Sequence, residues 1–156
     1  MFSNKSMFAC DNMLGRLAKW LRLFGYDTYY NKNLSFGELL FTAIKEKRVV
    51  FTRRHRFPSL SNVNIFKISS EILEKQIEEL VEHFGIKTSV KFSRCSICNN
   101  PLIKIEKEFV KSYVPTYTYI THNKFYKCNK CDKIYWKGTH LNRAEEFLKS
   151  QIKTGD

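Results

Sequence analysis

Hydrophobic positions in the first half of the chain switch repeatedly between two periods. Residues Ser6 to Cys10 form a short apolar run that reads as a buried strand, and Asp11 stands at its carboxyl end. Leu14, Leu17, Ala18, Leu21 and Phe24 then recur at helical spacing, with Asp11 or Asn12 available as the cap and Gly25 as the stop. Arg16, Lys19 and Arg22 step by three and predict a basic stripe beside that apolar face. A mixed strand is expected over 26–30, a helix from Ser35 to about Lys47, a buried strand over 48–52 and a fourth strand over 64–68. A helix capped by Ser69 or Ser70 follows, with Leu73, Ile77, Leu80, Val81 and Phe84 on its apolar face and Gly85 ending it. Strands alternating with helices imply right-handed crossovers and a parallel, three-layer α/β/α sheet. Working groups of such sheets gather at the carboxyl ends of the strands, where Asp11 and the basic loop Arg53, Arg54, His55 and Arg56 fall.

After Lys87 the apolar pieces become short and strand-like, at 90–93, 102–107, 116–120, 125–127 and 134–136, before an amphipathic helix from about Leu141 to Ile152. The pattern divides the chain into 1–88, the α/β domain, and 89–156, a small β-rich domain with a C-terminal helix. The second contains Cys95-Ser-Ile-Cys98 and Cys128-Asn-Lys-Cys131. Each CxxC presents two sulfurs from one turn, and two such turns facing each other close the tetrahedral shell zinc prefers. Cys95, Cys98, Cys128 and Cys131 are therefore the expected ligands of a structural Zn2+, in a zinc ribbon whose long insert forms hairpins. A fifth cysteine, Cys10, reads as a small core residue.

Charge adds a partner. The formal net charge is +12, and the excess is spread over both halves, with fourteen Lys/Arg against nine Asp/Glu in 1–88 and thirteen against six in 89–156. Such a surface suits nucleic-acid phosphate. Candidate contacts are Arg16, Arg53, Arg54 and Arg56 in the first domain and Lys130, Lys133 and Lys137 in the ribbon, where exposed rings among Tyr113, Tyr117, Tyr119, Tyr126 and their neighbours would stack on bases. No apolar run approaches the ~18 residues of a membrane span. Without a signal-peptide core, the expectation is a soluble, cytoplasmic protein.

The run from Asp11 to Asp27 (DNMLGRLAKWLRLFGYD), with Arg94-Cys95, Val114-Pro115, Phe125 to Cys128 and Ile134-Tyr-Trp-Lys-Gly-Thr-His140, resembles the Mut-seven C-terminal RNase domain family, PIN-like nucleases fused to a zinc ribbon. The resemblance implies RNA hydrolysis by clustered carboxylates holding Mg2+ or Mn2+, which choose hard oxygen ligands and activate water. Asp11 matches the family's first acid and Glu38 an acidic position on the second helix, so these two are the expected catalytic residues. Glu38 also completes a capping box with Ser35. The family's next acids follow the third strand, where this chain has Arg54 and Arg56, and Glu71 is a further acid after the fourth strand. Two functions follow: a PIN-like, metal-dependent ribonuclease, or a non-catalytic RNA-binding protein on a degenerate nuclease fold whose arginine loop holds phosphate.

Overall fold

A computed structural model describes residues 6–152. Strands β1 (Phe8–Cys10), β2 (Thr28–Tyr29), β3 (Val49–Thr52) and β4 (Ile65–Lys67) form one sheet in the order β2-β1-β3-β4. Every pairing in it is parallel. Helices α1 (Gly15–Leu23) and α2 (Phe36–Glu46) supply the first two crossovers, a loop over 53–64 joins β3 to β4, and α3 (Leu73–Phe84) follows β4. Strand alternation divides the core in two. Phe8, Cys10 and Phe51 face α1 and α3 through Leu17, Leu21, Ile77 and Leu80, whereas Ala9 and Val50 face Leu39, Leu40 and Ala43 of α2. The expected three-layer architecture is present. Phe8, Phe51 and Phe84 interlock at centroid distances of 4.9–6.3 Å, each pair adding about 1 kcal/mol beyond its buried area. Cys10 lies in this core, and burial pushes its thiol far up from its ordinary pKa.

The second sheet is antiparallel, β5 (Leu102–Ile105), β6 (Phe125–Cys128) and β7 (Ile134–Tyr135) in that order. A last helix, α5 (Thr139–Gln151), leaves it, and its Leu148 and the following Ile152 pack into the core of α1 and α3.

Four local expectations are corrected, the first being the cap of α3: its N-cap is Ile72, with no side-chain cap bond, and not Ser69 or Ser70. Residues 116–120 are helical, in α4 (Thr116–Thr121), despite a β-branched and aromatic alternation. Val110, Val114 and Thr118 are buried at steps of four, so burial at helical spacing overrides β propensity. Residues 90–93 form no strand; only Arg94 makes an isolated bridge, to Pro101. Arg22 is no surface residue either. It is 4 % exposed, while Arg16 and Lys19 stay in solvent.

Candidate functional site

The chain runs from β1 outward to β2 and then crosses to β3 on the other side, so the strand order reverses between β1 and β3. Their carboxyl ends open a crevice there, the usual ligand position in parallel sheets. Asp11 ends β1 and Thr52 ends β3, and Asp11 N donates to Phe51 O at 2.9 Å. The carboxylate is 1 % exposed and fully engaged. Its Oδ1 accepts from Asn12 N at 2.8 Å, capping the helical turn that opens α1. Its Oδ2 accepts from Thr52 Oγ1 at 2.7 Å and from Arg54 Nε at 2.8 Å. Thr52 Oγ1 in turn accepts from Arg54 N at 3.1 Å, and the Arg54 guanidinium lies over the Phe36 ring, 4.8 Å from its centroid. Arg54, at the position where the resemblance places an acid, thus neutralises the first acid directly.

The other predicted residues divide around this pair. Glu38 is exposed and forms the capping box: its Oε2 accepts from Ser35 N at 2.8 Å and its own N donates to Ser35 Oγ at 3.2 Å. Hydrogen bonds from Ser35 hold its carboxyl below the ordinary value. Arg53 pairs with Glu71 at 3.1 Å, and its buried Nε has no protein partner. Arg56 and Arg16 are exposed, as is His55, whose Nδ1 lies 3.5 Å from Lys67 Nζ. Among the described residues, no three of these acids converge on one point. The one group of three or more potential ligands that does converge is the cysteine cluster.

There Cys95, Cys98, Cys128 and Cys131 bring their sulfurs within 4.8 Å of one another. Zinc–sulfur bonds of about 2.3 Å give a tetrahedron with edges of roughly 3.8 Å, and the Cys98–Cys128 and Cys95–Cys131 sulfurs are 3.4 and 3.5 Å apart. The two knuckles repeat each other's backbone. Asn99 N donates to Cys95 O and Asp132 N to Cys128 O, at 2.9 and 2.8 Å. Both residues adopt left-handed φ, 68° and 61°, which Asn and Asp tolerate best after Gly. Burial works against a Cys95 thiolate, but the Tyr135 hydroxyl at 3.0 Å and the amides of Cys98 and Ile97 outweigh it and bring the pKa to about 6. Burial and that neighbouring charge push Cys98 and Cys131 upward. A soft divalent cation is what lets four such thiols ionise together, so the donor set fits a metal ion.

The Mut7-C RNAse domain profile matches residues 6–148. The chain belongs to the Mut7-C RNAse domain family. No curated protein and no solved structure matches it. The Mut7-C match spans both sheets and points to a nuclease-like function. The sequence pointed to Asp11 and Arg54 separately but not to their contact, gave no role to Thr52 or Phe36, and put Arg22 on a surface stripe instead of inside. Those roles depend on which strands are neighbours, which local periodicity does not encode. The ribbon lysines are placed as follows: Lys130 is exposed, Lys133 Nζ sits 5.1 Å from the Tyr135 ring centroid, and Lys137 pairs with Glu145 at 3.4 Å. No helix among the described residues is long and apolar enough to cross a membrane.

Proposed function

We propose that this Mut7-C member is directed to RNA and engages phosphate at the carboxyl edge of its parallel sheet through Arg53, Arg54 and Arg56. The observation that carries this reading is the Asp11–Arg54 pair. Asp11 Oδ2 already accepts two hydrogen bonds, one from a guanidinium at 2.8 Å, and a cation placed beside it would meet that arginine's charge. Arg54 keeps about a third of its side chain exposed, at 36 %, so its outer nitrogens are free to meet a phosphate in the forked geometry guanidinium favours. Asp11 then orients Arg54, Phe36 supports its plane, and Arg53 and Arg56 extend the positive edge. Zn2+ on the four cysteines is structural, because four thiolates leave no coordination position for water.

A second reading is favoured by family membership and by Asp11 standing at the switch point. In it the chain is a ribonuclease, with Asp11 and Glu38 holding Mg2+ or Mn2+ once Arg54 has moved aside. Incubation of labelled single-stranded RNA with Mn2+ or Mg2+, beside EDTA and Asp11→Asn controls, separates the two. The phosphate-binding reading predicts intact RNA in every lane and binding weakened in Arg54→Ala. It further predicts that Arg54→Asp, which returns an acid to the edge, creates metal-dependent cleavage. Cutting by the unaltered chain that EDTA and Asp11→Asn both abolish establishes the ribonuclease instead.

A further inference from the structure

The ribbon sheet has two unlike faces. Leu102 pairs with Cys128, Lys104 with Tyr126, and Tyr126 with Tyr135, which places these residues on the face that carries the knuckles. On the other face Ile103 pairs with Lys127, Ile105 with Phe125, and Lys127 with Ile134. The connection from β5 to β6 arches over that second face. Its Val110, Val114 and Thr118 point inward at steps of four. Phe109, Tyr113 and Tyr117, at the same steps, remain 67 %, 76 % and 77 % exposed. The sequence thus builds an inner apolar stripe that holds the arch down and an outer aromatic stripe the fold does not use.

Between arch and sheet lies a cavity of about 620 Å3 lined by Ile105, Phe109, Tyr113, Lys127, Asp132 and Ile134. Its volume is that of a small-molecule pocket, and its walls are aliphatic and aromatic, with one ammonium, that of Lys127, 3.4 Å from Asp132. Lys111 and Lys124 stand exposed in the same stretch of chain. Planar apolar walls with cationic groups around them are complementary to unpaired bases carrying phosphates.

We propose that this cleft binds single-stranded RNA, with adjacent bases stacked on Phe109 and Tyr113 and the backbone facing Lys111 and Lys127. The proposal rests on the reading that the chain is directed to RNA and places a second contact region on the ribbon, apart from the arginine edge. Stacking uses the π-face every base has, so the site tolerates many sequences but requires unpaired ones.

Equilibrium binding of a labelled oligouridine and of a labelled fully paired hairpin, each across a salt series, tests it with the zinc-loaded chain. Phe109→Ala and Tyr113→Ala change exposed side chains, and thermal unfolding verifies that both variants fold. Each is expected to weaken oligouridine binding about tenfold, with the slope of log affinity against log salt unchanged because no phosphate contact is lost. Hairpin binding is expected to change little. The double variant binding oligouridine as the unaltered chain does, including the case in which the cleft serves an apolar protein segment, overturns the proposal. If that result is accompanied by weakened binding in Arg54→Ala, the arginine-edge reading stands and the cleft alone fails. If the unaltered chain binds neither RNA, the RNA-directed reading falls and the cleft proposal with it.

Discussion

Asp11 and Arg54 form an ion pair with unequal burial, the carboxylate at 1 % exposure and the guanidinium at 36 %. Removing the arginine leaves a buried charge still held by Thr52 and Asn12 N. Arg54→Ala is therefore expected to cost about 1–3 kcal/mol, read as a lower midpoint in denaturant unfolding. An unchanged midpoint would mean that Thr52 and the backbone suffice for the carboxylate and that Arg54 is held for its partner in solution. Much at this scale is legible in sequence: Asp11 at a strand end, Ser35-x-x-Glu38 as a capping box, and two CxxC turns with Asn99 and Asp132 directly after them. The contact between Asp11 and Arg54 is not. It needs β1 and β3 to be neighbours, across a separation of 43 residues.

At the scale of elements, what joins the two sheets is a set of polar side chains absent from any hydrophobic pattern. Arg22, on the buried side of α1, donates to Thr28 O at 2.9 Å and to Ser96 O and Ile97 O at 3.1 and 2.9 Å, the last two within the first knuckle. Asp27 accepts from Asn99 Nδ2 and Arg48 Nη1, both at 2.7 Å, and lies 3.6 Å from Arg94. Helical spacing places Arg22 among exposed lysines and arginines, and only the ribbon docked against α1 makes it internal. Arg22→Met keeps the side-chain volume but removes three hydrogen bonds, two of them buried. It is expected to cost about 2–4 kcal/mol and to speed zinc loss to a chelator, measured by unfolding and by a colorimetric zinc indicator. Burial raises the Asp27 carboxyl, but hydrogen bonds from Arg48 and Asn99 and the charges of Arg48 and Arg94 outweigh this and hold it below its ordinary value. A lowered carboxyl stabilises the fold fully above its ordinary pKa near 4 and loses that contribution as pH falls through the lower folded value. Asp27→Asn should therefore narrow its stability deficit relative to the unaltered chain on acidification below about pH 4. A deficit that stays constant down to the acid transition would contradict this.

Across the whole molecule, packing and hydrogen bonds tie the cysteine knuckles to the parallel-sheet layer. Leu148 and Ile152 return from the ribbon to the core of α1 and α3, so the chain passes through the cysteine cluster and back. Stripping zinc with a strong chelator is expected to lower the unfolding temperature of the α/β layer along with that of the ribbon, in one transition. Two separated transitions, the upper one unmoved by chelation, would show instead that the sheets unfold independently. Four cysteines that could hold a metal ion thus lie in the ribbon, and arginines line the crevice at the sheet edge. The +12 net charge suits phosphate at either place without specifying one. In the proposed phosphate site, Arg54 has turned the acid at the end of β1 into its own support. Its most direct test is the affinity of the unaltered chain and of Arg54→Ala for labelled single-stranded RNA, each measured with Mn2+ and with EDTA. A phosphate site built on Arg54 gives salt-sensitive binding that is the same with metal or chelator, leaves the RNA intact and falls in Arg54→Ala. Tighter binding with Mn2+, RNA cut only when Mn2+ is present, and Arg54→Ala more active than the unaltered chain would contradict it.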